Sequence, residues 1–282
     1  MMAREYYDTN PCGDIEKDTI DLFMEILDTK IHEAKDMLIE RFDWICSQSP
    51  DSAKFMYENG VMEGYIPEEG IRSALEHGTL AVGNLGLAET LQILIGCDHT
   101  TEKGMELAKR IYQLFKDRCA EFKEKYKLNF GVYNTPAENL AYTAMKRFKA
   151  KYGIIENVSD REYFTNSMHV PVWKELSPFE KIDIESQLTG YSSAGCITYI
   201  ELGSSVKYNL KALEAMVNYA MDKDIPYFAV NIPNDTCMTC GYTDDLNDEC
   251  PVCGGSHIQR LRRVTGLSTE EMPFKCHKFY QW

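Results

Sequence analysis

Cys196-Ile-Thr-Tyr-Ile-Glu-Leu202 and Pro226-Tyr-Phe-Ala-Val-Asn231 are short runs of β-branched and aromatic residues, and Tyr208–Lys223 between them is spaced as a helix. Strand, helix, strand within one unit means a parallel pair joined by a right-handed crossover. That unit decides the fold class as α/β. Working back from it, Ser177-Pro178-Phe179-Glu180 is a capping-box pattern with Pro at the first helical position, and it opens a helix ending near Gly190. Residues 152–176 read as a loop. A strand is expected at Asn129–Tyr133, followed by a helix from near Pro136. Thr101 caps a long helix whose inward face is Met105, Ala108, Ile111, Phe115, Cys119, Phe122 and Tyr126. His77–Glu89 carries glycines that permit special dihedrals, and it reads as a short strand or extended turn feeding a helix that ends near Gly96. Phe23, Leu27, Ile31, Ala34, Leu38, Phe42 and Ile45 line one face of a first helix, from about Asp18 to Ile45. Residues 47–70 carry no strong period.

The composition excludes several classes. Hydrophobic residues at 44% and charged residues at 26% are those of an ordinary globular chain, so disorder is not its main state. No apolar run approaches the roughly 20 residues of a membrane span. The net charge of −14 repels phosphate backbones, so no nucleic-acid partner is expected. The basic run Arg260-Leu-Arg-Arg263 is the one local exception, and it reads as a solvated or ion-paired segment. The N-terminus lacks an apolar signal region, which points to the cytoplasm. The ten cysteines are then thiols, metal ligands or redox groups rather than a disulfide framework.

Beyond Asn231 the apolar content falls and four cysteines appear. Cys237-x-x-Cys240 and Cys250-x-x-Cys253 each run into glycine, at Gly241 and at Gly254-Gly255. Glycines at such knuckles let backbone amides turn toward sulfur. Four thiolates at this spacing suit a tetrahedral Zn²⁺, and a closed set of four leaves no position for water, so the metal is structural. The flanking loop holds Asp244, Asp245, Asp248 and Glu249, which disfavours phosphate there.

Four segments occur in a specific order: His77–Glu89, Asn134-Thr-Pro-Ala-Glu138, Tyr163-Phe-Thr-Asn-Ser-Met-His-Val-Pro171 and Gly195-Cys-Ile-Thr-Tyr-Ile-Glu201. The cysteine ribbon follows, then Arg262-Arg-Val-Thr-Gly266. Together they resemble the C-terminal portion of the anaerobic (class III) ribonucleoside-triphosphate reductases, which are glycyl radical enzymes. The resemblance implies a ten-stranded α/β barrel, here its C-terminal half. It divides the chain into a barrel portion at 1–230, a zinc ribbon at 231–258 and a glycyl radical loop and tail at 259–282. It puts the radical on Gly266, installed by an activase that uses S-adenosylmethionine and an iron–sulfur cluster. It sets Asn166, Ser167, Met168 and His169 near a ribonucleoside triphosphate, and it matches Cys237, Cys240, Cys250 and Cys253 to the zinc ligands. A glycyl radical is stabilised by the flanking amide and carbonyl in near-planar geometry, and only glycine lacks a Cβ that would crowd it.

The chain also departs from the pattern. Gly266 is followed by Leu267-Ser-Thr rather than by Gly-Tyr-Leu. The cysteine that becomes the thiyl radical is not matched, and Cys12 lies upstream of segments that match beyond that position. The expected assembly is therefore a split reductase completed by a partner carrying the first half. The competing expectation is an inactive zinc-ribbon scaffold or regulatory binder. Cys196 reads as a packed core thiol, and Glu89 and Glu138 read as structural carboxylates.

Overall fold

The computed structural model describes residues 1–9, 14–134, 136–137, 139–203, 206, 209–232, 234–264 and 267–270. Helix α1 (Met2–Thr9) precedes the long α2 (Ile15–Cys46). The carboxylate of Asp14 caps α2 by accepting the free N–H groups of Glu16 and Lys17. Within the stretch without period lie a 3-10 turn at Pro50–Ala53 and α3 (Lys54–Glu58). Then come α4 (Arg72–Leu75), β1 (Thr79–Val82) and α5 (Leu87–Ile95). Helix α5 stops at Gly96, whose φ of 72° is cheap only for glycine. Thr101 caps α6 (Glu102–Tyr126) by accepting the Gly104 N–H. Next are β2 (Asn129–Asn134), α7 (Asn139–Tyr152) and α8 (Pro178–Thr189). The expected capping box is present, with Ser177 and Glu180 bonded reciprocally. The chain continues with β3 (Gly195–Cys196), β4 (Thr198–Glu201), α9 (Leu210–Asp222) and β5 (Phe228–Asn231).

The deciding unit forms as expected: β4 and β5 are parallel, with Thr198 opposite Phe228 and Glu201 opposite Asn231. Strands β1, β2 and β3 form a second parallel sheet in that order. Two details differ from the sequence reading. Cys196–Leu202 is not one strand. The chain leaves β2 after Cys196, and Ile197 donates its N–H to the Asn134 carbonyl, but Thr198 donates to the Tyr227 carbonyl on the other side. The run therefore hands over between two sheets, which a hydrophobic pattern alone does not register. Helix α7 is described from Asn139, three residues past Pro136, and the Ala137 N–H between them donates to the Asn166 side chain, which ties the approach to α7 to that distant segment.

The core centres on α6. Its face of Met105, Ala108, Ile111, Phe115, Cys119 and Phe122 is buried against Leu91, Leu94, Phe130 and Val132, with α2 covering it through Ile20 and Ile31. Cys196 is also part of this core, and burial pushes its thiol pKa up. A smaller cluster of Ile182, Ile200, Met216, Ala220 and Ile225 joins α8, α9 and β4. Among the described residues no helix is long and apolar enough to cross a membrane. Beyond β5, the antiparallel strands β6 (Asp235–Cys237), β7 (Thr243–Asp244) and β8 (Ile258–Gln259) form a separate small sheet. The hairpin of β9 (Leu261–Val264) and β10 (Leu267–Glu270) follows.

Candidate functional site

In a parallel α/β architecture, functional groups collect beyond the C-terminal ends of the strands. Here β1 runs into Gly83-Asn84 and β2 ends on Asn134. The segment Thr165–Val170 lies against both. Leu85 pairs with Asn166 in an isolated antiparallel bridge, and the Gly86 N–H donates to the Thr165 carbonyl at 2.9 Å. Just past β1, Gly83 lets the chain pass close to the end of β2, because a Cβ there would meet the Tyr133 carbonyl oxygen at 2.5 Å.

The four residues singled out from sequence are brought together and buried. Asn166 accepts the Ala137 N–H at 2.9 Å. The Ser167 hydroxyl donates to the Asn84 carbonyl at 3.1 Å. Ser167 has a φ of 34°, in the left-handed region that a non-glycine residue occupies only when its surroundings over-determine it. Met168 is wholly buried. His169 is held between two carbonyl oxygens, Nδ1 at 2.9 Å from Asn166 and Nε2 at 2.6 Å from Ile197, and it stacks on Tyr199. The Ile197 carbonyl that binds His169 belongs to the residue where the chain changes sheets. The site and that handover are thus one feature.

A buried polar network behind the segment was missed from sequence. The Tyr112 hydroxyl lies 2.7 Å from Asn84 Oδ1 and 3.1 Å from Asn134 Oδ1, and Asn134 Nδ2 donates to the Ser192 hydroxyl at 2.6 Å. Complete burial pushes the Tyr112 phenol pKa far up, so it stays a hydroxyl. The signal that could have found Asn84 and Asn134 is their position directly after a strand. Tyr112 lies on the apolar face of α6, four residues from Ala108 and three from Phe115, so its spacing reads as core and gives no sign of the polar role of its hydroxyl. Glu89 was read as a structural carboxylate. It is buried on α5 and accepts both the N–H and the hydroxyl of Thr165.

The cysteine cluster is assembled by the two knuckles. All four Sγ atoms lie within 4.8 Å of one another, with Cys237–Cys253 at 3.6 Å and Cys240–Cys250 at 3.7 Å. These separations are far beyond a disulfide bond. They match the roughly 3.8 Å edge of a tetrahedron with metal–sulfur bonds of about 2.3 Å. The Cys237 thiol is pulled down, first by the N–H of Cys240 and against burial, then by the N–H of Thr239 and the facing thiols, while the crowding of the other thiols pushes Cys253 up, so the four share protons until a cation replaces them. The donor set therefore fits Zn²⁺. Arg260 pairs with Asp248 at 3.1 Å, one of the two states expected for the basic run that it opens. Gly266, Cys12 and Glu138 lie outside the described residues.

A family model described as anaerobic ribonucleoside-triphosphate reductase matches residues 12–278. The chain is 29% identical over 271 residues to the anaerobic ribonucleoside-triphosphate reductase of Escherichia coli K12, covering 91% of this chain and 38% of that protein. It is 30% identical over 250 residues to the enzyme of that name from enterobacteria phage T4, covering 86% of this chain and 40% of the relative. A solved anaerobic ribonucleotide reductase superposes with a TM-score of 0.69 at 22% identity, over 90% of this chain and 38% of the other. That of Thermotoga maritima with dATP in its specificity site gives 0.68 at 19% identity, over 95% and 42%. The chain spans about two fifths of the length of these curated relatives.

Proposed function

The chain belongs to the anaerobic ribonucleoside-triphosphate reductase family, and from that premise we propose that it supplies the C-terminal, radical-bearing part of an enzyme that reduces ribonucleoside triphosphates to deoxyribonucleoside triphosphates. The observation that carries this reading is the extent of the family match. It runs from the barrel-type α/β unit through the ribbon and past Gly266. On this reading, residues 1–230 are the C-terminal part of the catalytic barrel, 231–258 the zinc ribbon and 259–282 the radical loop and tail.

Each part then has a physical task. The five parallel strands β1 to β5 stand in pieces of three and two. Open strand edges favour association with a further set of strands, and a partner bearing the first half of the barrel and the thiyl cysteine would supply them. Zinc on Cys237, Cys240, Cys250 and Cys253 would staple a segment whose own core is minimal, and so carry the loop that follows it. Gly266 would hold the stored radical after activation by the S-adenosylmethionine enzyme. Transfer to the partner's cysteine would give the thiyl that takes hydrogen from the substrate ribose, with formate or a thiol protein as the reductant class. Asn166, Ser167, Met168 and His169 would back the nucleotide site from beyond the strand ends, Met168 from within the core. An enclosed site suits such chemistry, because water and oxygen divert radicals.

The test is electron paramagnetic resonance under strict anaerobiosis, with the first-half partner and the activase present. A doublet organic radical should appear in the wild-type chain and be absent from Gly266→Ala, with zinc content unchanged. Exposure to oxygen should then cut the chain at Gly266 and release a fragment beginning near Leu267. An intact chain, or a cut elsewhere, would return Gly266 to an ordinary turn residue and favour the scaffold reading.

A further inference from the structure

Two buried carboxylates stand at the two ends of the segment Thr165–Val170. Glu89 on α5 is 2% exposed, and its Oε1 accepts the Thr165 N–H at 2.9 Å and the Thr165 hydroxyl at 2.7 Å. Glu185 on α8 is fully buried, and its Oε1 accepts the Val170 N–H at 3.0 Å. In both residues the second oxygen, Oε2, is buried and has no hydrogen-bond partner. The resemblance is not shared with the other helix carboxylates of the chain, which mostly lie at the surface. Burying a carboxylate without full pairing is costly, so a position that keeps one needs a reason beyond packing.

The backbone between the two grips supplies that reason. Ser167 sits at φ 34°, and His169 is wedged between the carbonyls of Asn166 and Ile197. A strained residue in an irregular segment keeps its conformation only while both flanks are fixed. The first flank is tied to α5 and the last to α8, two helices that pack on α6. We propose that Glu89 and Glu185 are the positioning residues of this segment, two internal grips that set the backbone of Ser167 and His169 for the ribose and phosphates of a nucleotide. The ligand's identity rests on the proposed function; the grips themselves rest on the geometry alone.

The experiment uses the full chain and five variants: Glu89→Ala, Glu89→Gln, Glu89→Asp, Glu185→Ala and Glu185→Gln. The first readout is hydrogen exchange of peptides spanning 163–171, with peptides from α6 as the control for the whole fold. Alanine at either position orphans a buried N–H, so exchange across 163–171 should rise about tenfold or more while α6 stays protected. Glutamine keeps the accepting oxygen and should stay near wild type. Glu185 Oε1 also lies 4.0 Å from Lys181 Nζ, and Glu185→Gln leaves Lys181 its closer partner, Glu201, at 2.8 Å. Glu89→Asp keeps the carboxyl group but withdraws the acceptor by one methylene, and it should behave like alanine. Should an alanine variant fail to fold, the aspartate and glutamine pair at Glu89 gives the same contrast. Exchange that stays at wild-type level in Glu89→Ala and Glu89→Asp, or that rises equally in the glutamine variants, overturns the grips. The second readout is ribonucleotide reduction by the complex with its first-half partner. KM should rise in the alanine and aspartate variants more than kcat falls, and glutamine should restore it. Loosened exchange with an unchanged KM overturns the role in substrate positioning. A wild-type complex without reductase activity instead overturns the proposed function and leaves the exchange result to decide the grips.

Discussion

Residues 165–170 and residues 235–259 are both irregular, and they are fixed by opposite means. The first segment is pressed between α5, α6 and α8 and rests on the main core, so most of its order is supplied by helices that would pack without it. The second has a core of Cys237, Leu246 and Cys250, of which Leu246 alone is an ordinary aliphatic residue. One further internal tie is the buried Asp235, which accepts the Leu246 N–H at 3.0 Å. So small a cluster cannot offset the conformational entropy of ordering two knuckles and a loop. A packed segment answers to mutations in the helices around it. A ligated one answers to metal, proton and oxidant. Both regions can thus belong to one active assembly and fail under quite different insults.

The largest expected effect comes from taking the metal away. Structural zinc on four thiolates contributes on the order of 10 kcal/mol to folding the segment that holds it. Chelation, or serine at any of Cys237, Cys240, Cys250 and Cys253, should release about one equivalent of zinc. Amide exchange across 235–259 should then become fast, while helical circular dichroism and the protection of 163–171 stay as they were. Ribbon peptides that remain protected without metal would erase the contrast between the two regions.

The reciprocal experiment strikes the packed region. Leu91 is fully buried on α5, the helix that carries Glu89. Leu91→Ala should cost about 3 kcal/mol through lost transfer energy and the cavity left behind. In urea unfolding the midpoint of the helical transition should drop accordingly, and the zinc content of the folded protein should not change. Loss of zinc from this variant would mean that the ribbon leans on the main core, contrary to its separate small sheet.

These two regions were also unequally legible in the sequence. The ribbon could be read from four cysteines and their glycines, because metal ligation leaves its donors at fixed spacing. The helices α2, α5, α6 and α8 could be read because their apolar spacing and their caps at Thr101 and Ser177 are local properties. The parallel β4–α9–β5 unit was legible for the same reason. What escaped was the handover at Ile197 and the approach to α7. Each is fixed by a distant partner, Tyr227 and His169 in one case and Asn166 in the other. The segment Tyr163–Pro171 was found through family resemblance, while its ties to Glu89, Asn84 and Glu185 appear only in three dimensions. Gly266 and residues 271–282 lie outside the described residues.

A smaller effect sharpens how far α8 matters to the packed region. Ser177 and Glu180 each satisfy a free N–H at its start. Ser177→Ala should cost about 1 kcal/mol, the ordinary worth of such a cap. Since α8 carries Glu185 about two turns from this cap and carries none of the ribbon cysteines, exchange at Val170 should rise slightly and the ribbon should not respond.

The smallest effect separates the regions by pH. Arg118 on α6 grips Asp28 on α2 with two hydrogen bonds, Nε to Oδ1 at 2.6 Å and Nη2 to Oδ2 at 3.0 Å. The Arg118 hydrogen bonds hold the Asp28 carboxyl below its ordinary 3.8 despite some desolvation. A carboxylate with a lowered folded pKa contributes its stability above the unfolded value, and loses it as pH falls through the folded one. The pair is about 30% exposed, 27% for Arg118 and 31% for Asp28, and Arg118 also holds Glu121. Its contribution should therefore be under about 1 kcal/mol. Asp28→Asn should be less stable than wild type at pH 7 by that amount, and the gap should close once the pH lies below both values. Urea midpoints measured from pH 7 down through the acid range read this directly, with the α2–α6 packing as the reporter. The ribbon should have lost its zinc at the acid end in both proteins alike, because protons compete for its thiolates whatever stands at Asp28. A gap that does not narrow at all as the pH falls would mean that asparagine disturbs the α2–α6 contact itself, and that this part of the packed region is held by shape rather than by charge.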